Sequence, residues 1–162
     1  MVYDINMLYN RKNCTITERG RQRNQGGTDM KKIDHIGIAV QSIEKALSLY
    51  TGIFPFSHTQ TEIVESQKVK VAFIDVNNTK IELLEPAGAD SPIQKFIDKR
   101  GEGIHHMAFQ TDDIEGDLKR LAEKGMRLID EKPRTGAGGA LVAFIHPKSS
   151  YGVLYELCQK QV

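Results

Sequence analysis

The sequence predicts an α+β fold made of two tandem βαβββ modules that share one functional centre, and three observations lead there. The stretch IDHIGIAVQSIEKALSLYTG is echoed by IHHMAFQTDDIEGDLKRLAEKG, which sets His35 and His106 71 residues apart. The tetrapeptide Val71-Ala72-Phe73-Ile74 returns unchanged, at the same interval, as Val142-Ala143-Phe144-Ile145. Each copy leads through a turn into a last strand, KIELLEP or GVLYELC, where Glu82 and Glu156 hold matching places. Repetition at a fixed interval is the mark of a duplicated structural unit.

Residues 1–29 are polar and basic without sustained helix or strand period, and are read as a disordered or loosely attached leader. Gly26-Gly27 just ahead of Met30 is compatible with a ribosome-binding sequence in the gene. Met30 is thus an alternative start, which intact-mass analysis of the native protein tests. Residues 30–162 form a single domain, with repeat 1 over about 31–86 and repeat 2 over about 102–159. Each repeat opens on a strand of alternating apolar residues: Ile36, Ile38 and Val40 in one, Met107 and Phe109 in the other. A turn with a helix-capping residue follows, Ser42 in the first and Asp112 or Asp113 in the second. Amphipathic helices then run over roughly 43–52 and 114–124. The VAFI strands come next, and turns at Asn77-Asn78 and Pro147-Lys148-Ser149-Ser150 deliver the final strands.

The bulk numbers narrow the partners. A chain of 162 residues with 40% hydrophobic content can bury a core of its own. Its 22 basic and 21 acidic residues leave a net charge of +1, which gives no electrostatic reason to expect nucleic acid or an anionic membrane. A small molecule is the expected partner. Cys14 and Cys158 lie at opposite ends without metal-type spacing, and the sequence has neither a membrane-spanning apolar run nor a signal peptide. A reducing cytoplasm is the expected location.

Two histidines at the starts of equivalent strands and two glutamates inside equivalent strands are what a pseudo-twofold domain needs to close four ligands on one point. His35, Glu82, His106 and Glu156 are therefore the candidate metal ligands. Glu82 is set among Ile81, Leu83 and Leu84, and Glu156 beside Leu154 and Leu157. A carboxylate facing inward among such neighbours is costly unless paired, and a cation pairs it. The mixed nitrogen and oxygen set suits one divalent Zn, Mn, Co, Ni or Fe ion, and four protein ligands on an octahedral ion leave two positions open. His105 is expected on the opposite side of its strand, as a structural residue. His58 and His146 are read as solvated loop or strand-end residues.

The repeated module with these four residues resembles the vicinal oxygen chelate superfamily of glyoxalases and bleomycin-resistance proteins. Within it, IDHIGIAV, NTKIELLEP followed by DSPIQKF, GEGIHHMAF, DEKPRTGAGG and HPKSSYGVLYEL resemble the methylmalonyl-CoA epimerase family, in order, from Lys31 to Gln159. The resemblance implies a curved mixed sheet around the metal. It also implies interconversion of the 2R and 2S epimers of methylmalonyl-CoA by metal-assisted α-proton exchange through an enolate, a step of propionate metabolism. An acyl-CoA partner and a homodimer follow by the same analogy.

The resemblance assigns Glu156 as one acid/base besides its role as ligand. In some relatives a second catalytic carboxylate lies four residues after a glutamine; counted from Gln67, that position is Val71 here. Glu65 is then the expected second group, with Glu62, a metal-bound water or differently assisted Glu156 chemistry as alternatives. A solvated residue before an edge strand is the other reading of Glu65. Many relatives carry glutamine in place of Glu82, and the added negative charge tightens metal binding while weakening Lewis acidity. Lys148, with Ser149, is expected to reach the substrate carboxylate or the CoA phosphates, against the plain reading of a solvated turn. Gly136-Ala137-Gly138-Gly139 reads either as a mobile flap or as a connecting loop. The rival functions are a glyoxalase I-type lactoylglutathione lyase, which uses the same ligand types, and a metal-free drug-binding protein of the same fold.

Overall fold

The computed structural model describes Met30 and residues 32–161, so the expectations for the leader lie outside the described residues. At the centre, β1 (Ile33–Ala39) and β5 (Gly103–Gln110) run antiparallel. On its other side β1 takes β4 (Lys80–Pro86) in parallel, followed by antiparallel β3 (Val69–Asp75) and β2 (Ser57–Val64). β5 likewise takes β8 (Tyr155–Gln159) in parallel, followed by β7 (Leu141–Ile145) and the two-residue β6 (Arg134–Thr135). The order β2-β3-β4-β1-β5-β8-β7-β6 is one four-strand half written twice about the β1/β5 pair, as the repeats predict.

The curled sheet has two apolar faces, and the VAFI alternation supplies both. Ala72 and Ile74 face outward, where they bury Val40 and Ile43 together with Leu83. Ala143, Ile145 and Leu157 do the same for Ile114 and Leu118. Ile43 and Ile114 begin α1 (Ile43–Leu47) and α3 (Ile114–Glu123), so each module seats its helix on the outside of its own strands. Each fully buried isoleucine or leucine contributes about 1.5–3 kcal/mol. Val71, Phe73, Val142 and Phe144 point the other way and line a cavity of about 490 Å³. Alternation along a strand thus separates core-forming from site-forming residues within one tetrapeptide.

The expected caps are present: the Ser42 hydroxyl accepts from Lys45 N at 3.3 Å, and Asp113, rather than Asp112, accepts from Gly116 N at 3.0 Å. The first helix departs from a regular α-helix at Ser48. From there to Ile53 it winds in wider π-helical turns, with Phe54 N bonding Leu49 O at 2.8 Å. Ser48 and Thr51 hydroxyls donate to Lys45 O and Leu47 O, occupying carbonyls of the preceding turn, which loosens the ladder there. A further helix between the modules, α2 (Pro92–Arg100), was not among the expected elements. Its signals stand in the sequence: Ser91 caps Ile93 N at 3.2 Å, Pro92 takes the first turn, and Gly101 follows with φ of 77°. Ile93 and Ile97 pack on Val69, Val71 and Leu84, so α2 closes part of the inner face.

Candidate metal centre

The centre is built on the β1/β5 pair. Gly37 of β1 stands opposite His106 on one side and opposite Glu82 on the other, and Ala108 of β5 stands between His35 and Glu156 in the same way. Phe73 pairs with Glu82 and Phe144 with Glu156, so each glutamate is backed by the aromatic ring of its own VAFI strand. The symmetry read from the sequence is thus realised as a square of ligands around two residues with little or no side chain.

Each ligand histidine follows a bulge. Between β1 and β5 the register slips at Asp34 and again at His105, and each slip places an unpaired residue immediately before a ligand. Bulges re-aim side chains, and both of these residues turn back on the neighbouring imidazole. Asp34 Oδ1 lies 3.2 Å from His35 Nδ1, and His105 Nδ1 lies 2.9 Å from His106 Nδ1. The expectation that His105 faces away is corrected by this bulge: alternation fails where the strand gains a residue. With each ligand donating its Nδ1–H outward, both Nε2 lone pairs are left for the centre.

The four groups then meet. His35 Nε2 is 3.0 Å from His106 Nε2, 3.4 Å from Glu82 Oε2 and 3.6 Å from Glu156 Oε1. His106 Nε2 is 3.5 Å from Glu82 Oε2 and 3.6 Å from Glu156 Oε2. Ligand atoms about 2.1 Å from a shared ion stand about 3.0 Å apart at octahedral angles and about 3.4 Å apart at tetrahedral ones. The observed spacings match a hole of that size. All four residues are buried.

Electrostatics favour a cation there. Burial pushes the Glu156 carboxyl up to about 8, with His35 opposing and Glu82 adding. Glu82 is raised for the same reason, against the pull of His35. His106 is held well below its ordinary value by burial and by its histidine neighbours. Burial acts the same way on His35, but the Asp34 hydrogen bond and the two glutamates outweigh it and raise its pKa. Two buried carboxylates and two imidazoles with converging lone pairs fit a divalent metal by donor chemistry as well as by spacing. His35, Glu82 and His106 have donor atoms within 4.8 Å of one another, and so does a second trio, Asp34, His35 and Cys158. Asp34 is engaged by Lys160 Nζ at 2.9 Å, so this trio has one of its donors already occupied.

The structure does not bring the other expected residues to this centre. Glu65 is exposed in the 3-10 turn Glu65–Gln67, and it does not line the cavity. Lys148 is exposed and its N–H donates to His146 Nδ1; the Ser149 hydroxyl accepts from Arg127 N at 2.8 Å. Neither lines the cavity. The cations that do are Lys80, Arg134 and Lys160. Arg134 lies 5.3 Å above the Phe144 ring and 3.6 Å from Asp130 Oδ1. Sequence reasoning missed Asp34, His105 and Gly37. Of these Gly37 left a readable signal, a glycine inside a strand where something approaches closely.

Residues 34–144 match the model of the Glyoxalase/Bleomycin resistance protein/Dioxygenase superfamily. The mitochondrial methylmalonyl-CoA epimerase of Dictyostelium discoideum is 38% identical over 136 residues, spanning 83% of this chain and 82% of that protein. The ethylmalonyl-CoA/methylmalonyl-CoA epimerase of Cereibacter sphaeroides is 38% identical over 79% of this chain and 97% of its own. A Streptomyces coelicolor methylmalonyl-CoA epimerase variant, solved with 2-nitronate-propionyl-CoA, superposes with a TM-score of 0.80 at 36% identity, covering 83% of this chain and 97% of that one. The chain belongs to the glyoxalase/bleomycin resistance protein/dioxygenase superfamily and, within it, to the methylmalonyl-CoA epimerase family.

Proposed function

We propose that this protein interconverts the 2R and 2S epimers of methylmalonyl-CoA, with one divalent metal held by His35, Glu82, His106 and Glu156. The observation that carries the reading is the convergence of these four buried side chains at the floor of a cavity in a chain with epimerase relatives. When bound, the metal supplies Lewis acidity that polarises the thioester carbonyl and acidifies the neighbouring C–H. Glu156, buried at the centre beside the cavity, takes the α-proton as base. The apolar wall of Val69, Val71, Leu84 and Val142 excludes water from the acidified carbon, and Lys80, Arg134 and Lys160 face the anionic parts of the acyl-CoA. Arg134, stacked over Phe144 and near enough for its charge to act on Glu156, is the proposed partner of the substrate carboxylate.

The relatives support this reading over a lactoylglutathione lyase and over a metal-free drug-binding protein. No helix among the described residues is long and apolar enough to cross a membrane. A homodimer is part of this proposal by analogy with the family alone. The test is a coupled assay in which a mutase specific for one epimer consumes product formed from the other. Metal-dependent flux is expected; flux absent with every one of Co²⁺, Mn²⁺, Ni²⁺ and Zn²⁺, together with turnover of a glutathione hemithioacetal, would overturn it.

A further inference from the structure

We propose that Glu62 supplies the second acid/base, so that Glu156 and Glu62 address the reacting carbon from opposite sides; this rests on the epimerase reading above. Inverting a carbon by removing and returning a proton needs one proton carrier on each face. Glu156 of β8 supplies one wall of the cavity with such a group. The facing wall, β2 and β3, presents Val69, Val71 and Phe73, none of which moves a proton.

The register of β2 places a carboxylate on that wall. Glu62 stands directly opposite Val71, and its neighbours on the same strand face, Gln60 and Val64, stand opposite Phe73 and Val69. Directly opposed residues share a sheet face with Cβ atoms about 4.5–5.5 Å apart. Gln60, Val64, Val69, Val71 and Phe73 all line the cavity, so Glu62, though not itself a lining residue, shares its strand face with residues that are. Its carboxylate is held in place: Oε1 accepts from Gly138 N at 2.7 Å and from Gln60 Nε2 at 3.2 Å. Gly138 belongs to the cavity-lining loop of the other repeat and has φ of 61°, which glycine adopts without strain. β2 and β4 are two strand spacings apart, about 9.6 Å, which leaves room for a thioester carbon between Glu62 and the ligands. Glu65 has no such placement, being exposed beyond the end of β2.

In one direction the ionised Glu156 takes the α-proton, and the C–H electron pair passes into the enolate. Protonated Glu62 gives its O–H proton to the opposite face of the same carbon, where the enolate pair forms the new C–H bond. The epimer leaves with Glu156 protonated and Glu62 ionised. The reverse turnover starts from that state, and proton exchange with water resets either group.

Glu62→Gln tests this cleanly, because the amide oxygen still accepts from Gly138 N–H while the proton carrier is lost. The metal-loaded full chain is given each epimer of methylmalonyl-CoA separately in D₂O, and deuterium uptake at the α-carbon is followed by NMR with stereochemical analysis. The expected result is uptake with retention for one epimer, through Glu156 alone, none for the other, and interconversion slower by about 10²–10⁴-fold. Co²⁺ affinity is expected to stay at the wild-type value. Interconversion at the wild-type rate, or the same one-sided loss in Glu65→Gln with Glu62→Gln unaffected, would overturn the assignment. Wild-type protein that exchanges neither epimer would overturn the epimerase reading itself, and the assignment with it.

Discussion

Replacing Gly37 by alanine should dismantle the centre without touching a ligand. An alanine Cβ at this position would lie 2.5 Å from His106 Nδ1 and 2.8 Å from Nε2. Non-bonded heavy atoms sit comfortably at about 3.5–4.0 Å, so the imidazole would have to move by about 1 Å. Phe144 at 5.4 Å and His105 at 5.2 Å, centroid to centroid, close two sides of the buried ring, so it can yield only toward the cavity and away from its place in the centre. Metal bonds to nitrogen tolerate about 0.2 Å, so a shift of that size removes a ligand. Disturbing the shell behind a ligand costs about 10–100-fold in affinity, and displacing the ligand should cost at least about 100-fold, or about 2.7 kcal/mol. Overpacking adds about 1–3 kcal/mol against folding. Isothermal titration with Zn²⁺ or Co²⁺ measures the first and thermal melting of the metal-free protein the second. Gly52→Ala, whose new Cβ meets nothing within 4 Å, is the control. Wild-type metal affinity in Gly37→Ala would refute the placement of His106 over this strand.

Three further outcomes follow from the same geometry. Asp34→Asn removes the charge that orients His35 and leaves Lys160 without its partner, so metal affinity should fall about 10–100-fold in a chelator competition; unchanged affinity would detach Asp34 from the centre. A metal at a thousand times its Kd should stabilise the fold by about 4 kcal/mol, raising Tm by about 8–16 °C over the chelated protein in calorimetry. Above about pH 6.5, where the depressed His106 no longer contributes an opposing slope, the metal-free protein should lose stability as pH rises. Glu156 binds its proton more tightly folded than unfolded, so its contribution is complete below about pH 4.5 and is lost toward its folded value of about 8. The slope is at most about 1.4 kcal/mol per pH unit between about pH 6.5 and 8, read from urea unfolding at several pH values; rising stability there would contradict a buried Glu156 that holds its proton.

The repeat made most of this fold legible. The doubled VAFI put Glu82 and Glu156 at matching points of the last strands, and the structure adds that they pair with Phe73 and Phe144. The convergence of the four candidate residues was legible because a duplicated pattern gives each residue a partner in the other half. What escaped was whatever broke the strand period. The bulges at Asp34 and His105 turn residues that simple alternation sends away into hydrogen-bond partners of the ligands, and a bulge is a property of two paired strands rather than of one segment. The linker helix escaped because it belongs to neither repeat. Glu62 was legible only as one acidic residue among several, since its register against Val71 is a tertiary fact.

The most direct test of the account is α-proton exchange of methylmalonyl-CoA in D₂O, followed by NMR for wild-type protein stripped of metal and then reloaded with Co²⁺. The account predicts no exchange in the stripped protein, and exchange with accumulation of both epimers after reloading with one equivalent. Equal exchange in both samples, or none after reloading, would contradict it.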